Sequence, residues 1–240
     1  MENDLDGLVI AGSSTKGFSA VGYLEKNQTL LKNIRSYSGT SSGSILVCML
    51  ACGYTPAEIF LLWNDELSPF KNPKASAMGL YSLDEFMQRL DNFLMAKGIV
   101  YFSDFSHSVY VIATDITEDP IEYCFSKKTT PEIKVIDAIK ASCTIPGIFP
   151  PVMIKERMFI DGGLTNNFPY EYLEGCSKIF GINIRSSPKK IPTNFIEVLI
   201  KSVAAITTRK VDPTRFEKYV DIEVPSGLKP YNLYFFGKNY

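Results

Sequence analysis

Short apolar runs alternate with polar turns and longer helix-like segments along most of this chain. Leu8-Val9-Ile10-Ala11 is continuously apolar and stops at Gly12, and a Ser/Thr cluster follows. Its brevity predicts a buried strand running into a loop. Phe18 to Asn27 predicts a helix, Ile34 to Ser38 a second strand stopping at Gly39, and Ser44 to Gly53 an apolar helix ended by glycine. Thr55-Pro56-Ala57-Glu58 combines an N-cap, a proline at the first helical position and a capping-box glutamate. Ser82-Leu83-Asp84-Glu85 repeats the box and predicts an amphipathic helix to about Lys97. Val109–Thr114 and Ile121–Phe125 predict strands, Val135–Ser142 a helix, and Lys178–Ile184 a late buried strand. Leu67 to Gly79, with two prolines and little periodicity, predicts a surface loop. Strands alternating with helices predict an α/β fold with a largely parallel sheet.

Composition narrows the function. Lys+Arg 25 against Asp+Glu 26 leaves a net charge of −1, without the basic excess expected of a nucleic-acid binder. A length of 240 residues predicts one domain over 1–240. The longest uninterrupted apolar run, Ile45 to Cys52, is eight residues, far short of the ~20 that span a bilayer. The chain opens on acidic residues where a signal peptide is basic, which predicts a cytoplasmic protein. Five cysteines, an odd number with no CxxC, predict reduced thiols, and Cys48 and Cys52 fall in an apolar helix and predict core. Neither a metal site nor a cofactor is expected. The single histidine, His107, leaves one candidate for any histidine base, and its setting between Ser106 and Ser108 before a strand is that of an ordinary loop residue.

The sharpest chemical signal is Gly39-Thr40-Ser41-Ser42-Gly43, a G-x-S-x-G pentapeptide between a predicted strand and a predicted helix. In that setting Gly39 and Gly43 allow the neighbouring backbone to approach closely. Ser41 Oγ would stand exposed at the strand's carboxyl end with a helix N-terminus behind it. With His107 set aside, a carboxylate is the obvious base. Asp161 follows apolar Phe159-Ile160 and precedes Gly162-Gly163, so it is either that base or the first residue of an Asp-Gly-Gly turn. Gly12-Ser13-Ser14-Thr15-Lys16-Gly17 follows the first strand and precedes a helix, a place where backbone N–H groups can form an anion or oxyanion site. Phe18-Ser19 stands where a P-loop needs Lys-Ser/Thr, and Ser14 replaces the middle glycine of a dinucleotide fingerprint, so nucleotide binding fails on motif.

Taken in order, these pieces resemble the patatin-like phospholipase family. The likeness also includes Ala113-Thr114-Asp115-Ile116-Thr117, the run Ala141-Ser142-Cys143-Thr144-Ile145-Pro146-Gly147-Ile148-Phe149-Pro150-Pro151, and Asn166-Asn167-Phe168-Pro169. It covers about residues 5–190, leaving a C-terminal tail expected to dock on the domain. The resemblance implies a three-layer α/β/α sandwich with a mainly parallel central sheet, and a Ser-Asp dyad with Ser41 as nucleophile and Asp161 as base. It implies an oxyanion loop carried by Gly12, Ser13, Ser14, Lys16 and Gly17, although Ser13 and Ser14 stand where the family has glycine. The implied substrate is a phospholipid or other acyl lipid met transiently at a membrane surface. Two alternatives share the site: a transacylase, or a catalytically weak lipid-binding module. The aromatic stretches around Phe60-Leu61-Leu62-Trp63 and Tyr231–Phe236 could line an acyl pocket, but such segments are more often core or a docked tail.

Overall fold

The computed structural model describes residues 4–62, 73–186, 211–225 and 230–240, with 191, 192, 195, 198, 199, 201, 202, 205 and 228 between them. In chain order the strands are β1 (Gly7–Ile10), β2 (Ser36–Thr40), β3 (Pro73–Ser76), β4 (Gly79–Tyr81), β5 (Ser108–Asp115), β6 (Ile121–Ser126), β7 (Val152–Ile154), β8 (Arg157–Asp161), β9 (Ile179–Ser186) and β10 (Lys218–Val224). The helices are α1 (Gly17–Lys26), α2 (Ser42–Ala51), α3 (Pro56–Leu62), α4 (Asp84–Ala96), α5 (Val135–Cys143) and α6 (Pro230–Lys238). The central sheet has eight strands in the order β10-β9-β1-β2-β5-β8-β7, with β6 also on β5. It is parallel from β10 to β5 and antiparallel where β6, β8 and β7 join, because short turns connect β5 to β6 and β7 to β8.

Both faces of the sheet are covered. Along β1 the side chains alternate, with Leu8 and Ile10 in the large core and Val9 and Ala11 in a second cluster with Phe168, Leu173 and Phe216. Helices α1, α2, α4 and α5 fill the first side, and 3₁₀ turns at Tyr170–Leu173 and Pro213–Arg215 border the second. This is the expected α/β/α sandwich. On the outer helical layer Phe60 of α3 stacks on Tyr234 of α6 at 3.9 Å between ring centroids and meets Phe18 of α1 edge-on, so these three rings pack on one another. Trp63 lies outside the described residues.

Several boundaries moved for local reasons. Strand β2 runs past Gly39 to Thr40, so it ends at the residue before Ser41. The Thr55 box forms as the sequence predicts: Glu58 Oε2 accepts from the Thr55 N–H at 2.7 Å, and Thr55 Oγ1 accepts from the Glu58 N–H at 3.2 Å. The second box does not form. Ser82 Oγ accepts from the Asp84 N–H at 3.0 Å and donates to Asp84 Oδ2, so α4 begins after a tight serine turn instead. Of the loop expected over 67–79, positions 67–72 lie outside the described residues. Positions 73–79 open a hairpin, β3 and β4, held down by Leu80 and Tyr81 N–H bonds to the Ile148 carbonyl.

Candidate active site

Strand β5 brings the two candidate residues together. Its first half pairs in parallel with β2, up to Thr40 opposite Ile112. Strand β8 takes over the same edge in the opposite direction, with Asp161 opposite Ala113, while β6 occupies the other edge. The carboxyl ends of β2 and β8 therefore meet head to head at adjacent positions of β5. Ser41 leaves one end and Asp161 caps the other. Close approach demands the glycines here: a Cβ on Gly39 would lie 2.6 Å from the Gly43 carbonyl oxygen, and one on Gly162 would run into the backbone of Ile112.

Ser41 is the first residue after β2 and precedes α2. Its φ of 52° and ψ of −128° lie where residues with side chains are strained. Several bonds hold it there. Its N–H donates to Ser142 Oγ at 2.8 Å, Ser142 Oγ donates to the Ile112 carbonyl at 2.5 Å, and the Ser41 carbonyl accepts from Ser44 Oγ at 2.6 Å. The result is a sharp strand-to-helix elbow with the hydroxyl aimed at one acceptor. Ser41 Oγ donates to Asp161 Oδ2 at 2.7 Å.

Asp161 is 4% exposed, and its other oxygen accepts from the Gly163 N–H at 2.8 Å. Burial pushes its carboxyl up from 3.8 to about 6, against the smaller opposing pull of the Ser41 and Gly163 hydrogen bonds. That moves the group toward the range in which a carboxylate can accept a proton near neutral pH. The neighbouring Cys143 thiol is raised by burial and by the Asp161 charge, so it is no competing nucleophile.

The Gly12–Gly17 loop lies beside the elbow, but most of its amides are engaged inside the protein. The Gly12 N–H donates to the Asn167 carbonyl at 3.1 Å, and Asn167 Nδ2 donates back to the Gly12 carbonyl at 3.0 Å. The Ser13 N–H donates to Ser42 Oγ at 3.0 Å, the Lys16 N–H to the Ser13 carbonyl, and the Gly17 N–H to the Ser14 and Thr15 carbonyls. Among these five residues only the Ser14 N–H lacks an acceptor within the described residues, and Ser14 has a φ of 54°. Serine thus adopts at this position the left-handed backbone that glycine would take freely. Lys16 is half-buried, and its ammonium is lowered by burial and by the charge of Lys201.

His107 is not part of this group. It precedes Ser108, which pairs with Ser36 at the start of β2, whereas Ser41 follows that strand's last residue. Five residues of strand separate them, about 16 Å at ~3.3 Å per residue. Among the described residues no three His, Cys, Asp or Glu side chains are grouped to hold a metal. Sequence reasoning assigned no role to Ser142, 101 positions from Ser41 and fully buried. Its only signal was its place in the Ala141–Pro151 run. Ser142→Ala leaves the Ser41 N–H buried and unpaired, and it is expected to lower stability by about 2 kcal/mol. A denaturant midpoint equal to the wild type's would show that the elbow does not depend on this bond.

A patatin-like phospholipase family model matches residues 8–174. The chain belongs to that family. This patatin-like chain is 32% identical over 179 residues to the probable lipid hydrolase 463L of Invertebrate iridescent virus 6, across 68% of this chain and 61% of that protein. It is 25% identical over 205 residues to lysophospholipase NTE1 of Candida glabrata, across 79% of this chain and 11% of that one. It spans about three fifths of the length of 463L, and the same share (61%) of the mimivirus protein R571. In fold it resembles VipD from Legionella pneumophila, with a TM-score of 0.60 at 14% identity over 98% of this chain and 66% of that one. A structure of ExoU with SpcU from Pseudomonas aeruginosa gives a TM-score of 0.53 at 16% identity, over 99% of this chain and 51% of that one. No helix among the described residues is long and apolar enough to cross a membrane.

Proposed function

We propose that this chain is a lipid acyl hydrolase that works through a Ser41–Asp161 dyad. The observation that carries the reading is the 2.7 Å hydrogen bond from Ser41 Oγ to a buried Asp161 carboxylate, made from a strained elbow. Family membership and the names of the relatives support a lipid ester as substrate. Asp161 takes the Ser41 proton as Oγ attacks the ester carbonyl. The tetrahedral intermediate collapses, and the leaving alcohol or lysolipid receives that proton from Asp161. Water, deprotonated by the same carboxylate, then attacks the acyl-enzyme, and Asp161 returns that proton to Ser41 Oγ as the fatty acid leaves. The N–H of the residue after the nucleophile, Ser42, and the Ser14 N–H are the assigned oxyanion donors. A membrane surface is where such a substrate is met.

A fluorophosphonate probe tests the reading. Wild type is expected to label, and Ser41→Ala and Asp161→Asn are not. A folded wild type that stays unlabelled would favour the lipid-binding module, for which the engaged Gly12 and Ser13 amides are the structural motive.

The pH dependence has a definite sign. The base must be ionised, so kcat/KM is expected to rise with pH through about 6, following the Asp161 carboxyl, and to fall away below it. A profile flat from pH 5 to 8 would remove Asp161 from the role of base.

A further inference from the structure

A second polar pocket opens at the other end of the sheet, between the starts of β2 and β5, with a volume of about 570 Å³. It is lined by three basic residues, Lys32, Arg35 and His107, with Ser36, Ser106 and Ser108 and no acidic residue; the Ser36 side chain is also hydrogen-bonded to Cys176. Lys32 and Arg35 are exposed, and neither has an ion-pair partner among the described residues. Two neighbouring carboxylates are engaged by backbone N–H groups: Asp6, whose carbonyl accepts from the Arg35 and Ser36 N–H groups, accepts through its carboxylate from Ser177 and Lys178, and the Asp104 carboxylate accepts from Val100 and Tyr101. The His107 ring is fixed edge-on against Tyr37 at 5.7 Å. In a chain of net charge −1, two cations, Lys32 and Arg35, stand beside hydroxyl-bearing residues with no carboxylate among the pocket's lining residues.

We propose that this pocket binds a phosphate group. A guanidinium offers a forked donor to phosphate oxygens, an ammonium adds a point charge, and hydroxyls complete the shell. A free, soluble phosphate compound is the favoured source. The pocket and Ser41 lie at opposite ends of β2, so one flat lipid surface cannot touch both. The site is independent of the acyl-transfer reading and is tested without turnover.

The test titrates the full ¹⁵N-labelled chain with inorganic phosphate, with glycerol 3-phosphate, and with phosphatidylcholine vesicles with or without phosphatidic acid. Saturable amide shifts at Ser36, Ser106, His107 and Ser108 with both soluble phosphates are expected, and sodium chloride at equal ionic strength should not reproduce them. The double variant Lys32→Ser/Arg35→Ser, altered at two exposed positions, is expected to weaken binding about tenfold or more. No saturation, equal affinity in the double variant, or shifts centred on Ser14 and Ser42 would overturn the site. Binding confined to the phosphatidic acid vesicles and lost in the double variant would overturn the soluble source and assign the pocket to a lipid headgroup.

Discussion

Asp161→Asn is expected to lower kcat about 10⁴-fold and, at pH 8, to make the protein more stable than wild type. The loss follows from the geometry. Under the proposed dyad, Asn cannot take the proton that Ser41 Oγ would deliver along the 2.7 Å bond, and losing a positioned general base costs ~10²–10⁴ in rate. No histidine stands nearby to replace it. The gain follows from burial. A carboxyl held at about 6 in the fold and at an ordinary 3.8 unfolded binds its proton more tightly in the native state, so native stability falls as pH rises between those values. Above pH 6 the ionised group costs about 3 kcal/mol, two pH units at ~1.4 kcal/mol each. The amide carries no charge and avoids that cost. It gives up part of the hydrogen bonding from Ser41 and Gly163, which reduces the expected gain to about 1–2 kcal/mol. Unfolding at pH 8 and at pH 3.5 separates the two contributions, because the advantage should shrink where wild-type Asp161 is protonated in both states. An Asn variant less stable than wild type at pH 8 would show that the carboxylate is not destabilised by its surroundings.

What was legible in the sequence was what is local. The elbow is a strand, five small or polar residues and a helix in succession, and each part left its own mark. The Thr55 box was legible because both partners lie within one turn. The apposition of Ser41 and Asp161 is not local: it depends on β5 pairing with β2 along one half of an edge and with β8 along the other, a register that no periodicity encodes. The same distance hid the Ser142 bond. The loop amides were hidden differently, since their availability depends on Asn167 and the Ser42 hydroxyl, which the sequence shows only as neighbours in two other motifs. Strand β10 did leave a signal. Lys218-Tyr219-Val220-Asp221-Ile222-Glu223-Val224 ends in strict alternation, with Ile222 and Val224 buried, yet no strand was read there. Strand β7 has three residues after two prolines, too few for any period to show.

Replacing Ser41, the proposed nucleophile, with glycine should remove turnover and improve the fold relative to replacing it with alanine. Both Ser41→Gly and Ser41→Ala lose Oγ, and kcat is expected to fall by ~10⁶, the scale seen when a serine nucleophile is deleted. Both also lose the hydrogen bond to Asp161, so the contrast between them isolates the backbone. At φ 52° and ψ −128° a residue bearing Cβ pays ~1–3 kcal/mol in strain, and glycine does not. Glycine gives back ~0.5–1 kcal/mol through the greater freedom of its unfolded chain. A net advantage of about 1 kcal/mol remains, which corresponds to ~2–4 °C in melting temperature for a chain of this size. The sign matters for the mechanism as well as the fold. Strain at Ser41 is maintained by the Ser142, Ser44 and Asp161 hydrogen bonds, so a hydroxyl held there is already aimed at the proposed base before substrate arrives. If Ser41→Gly melts at or below the temperature of Ser41→Ala, the elbow is relaxed. Aiming of the hydroxyl would then rest on the hydrogen bonds alone.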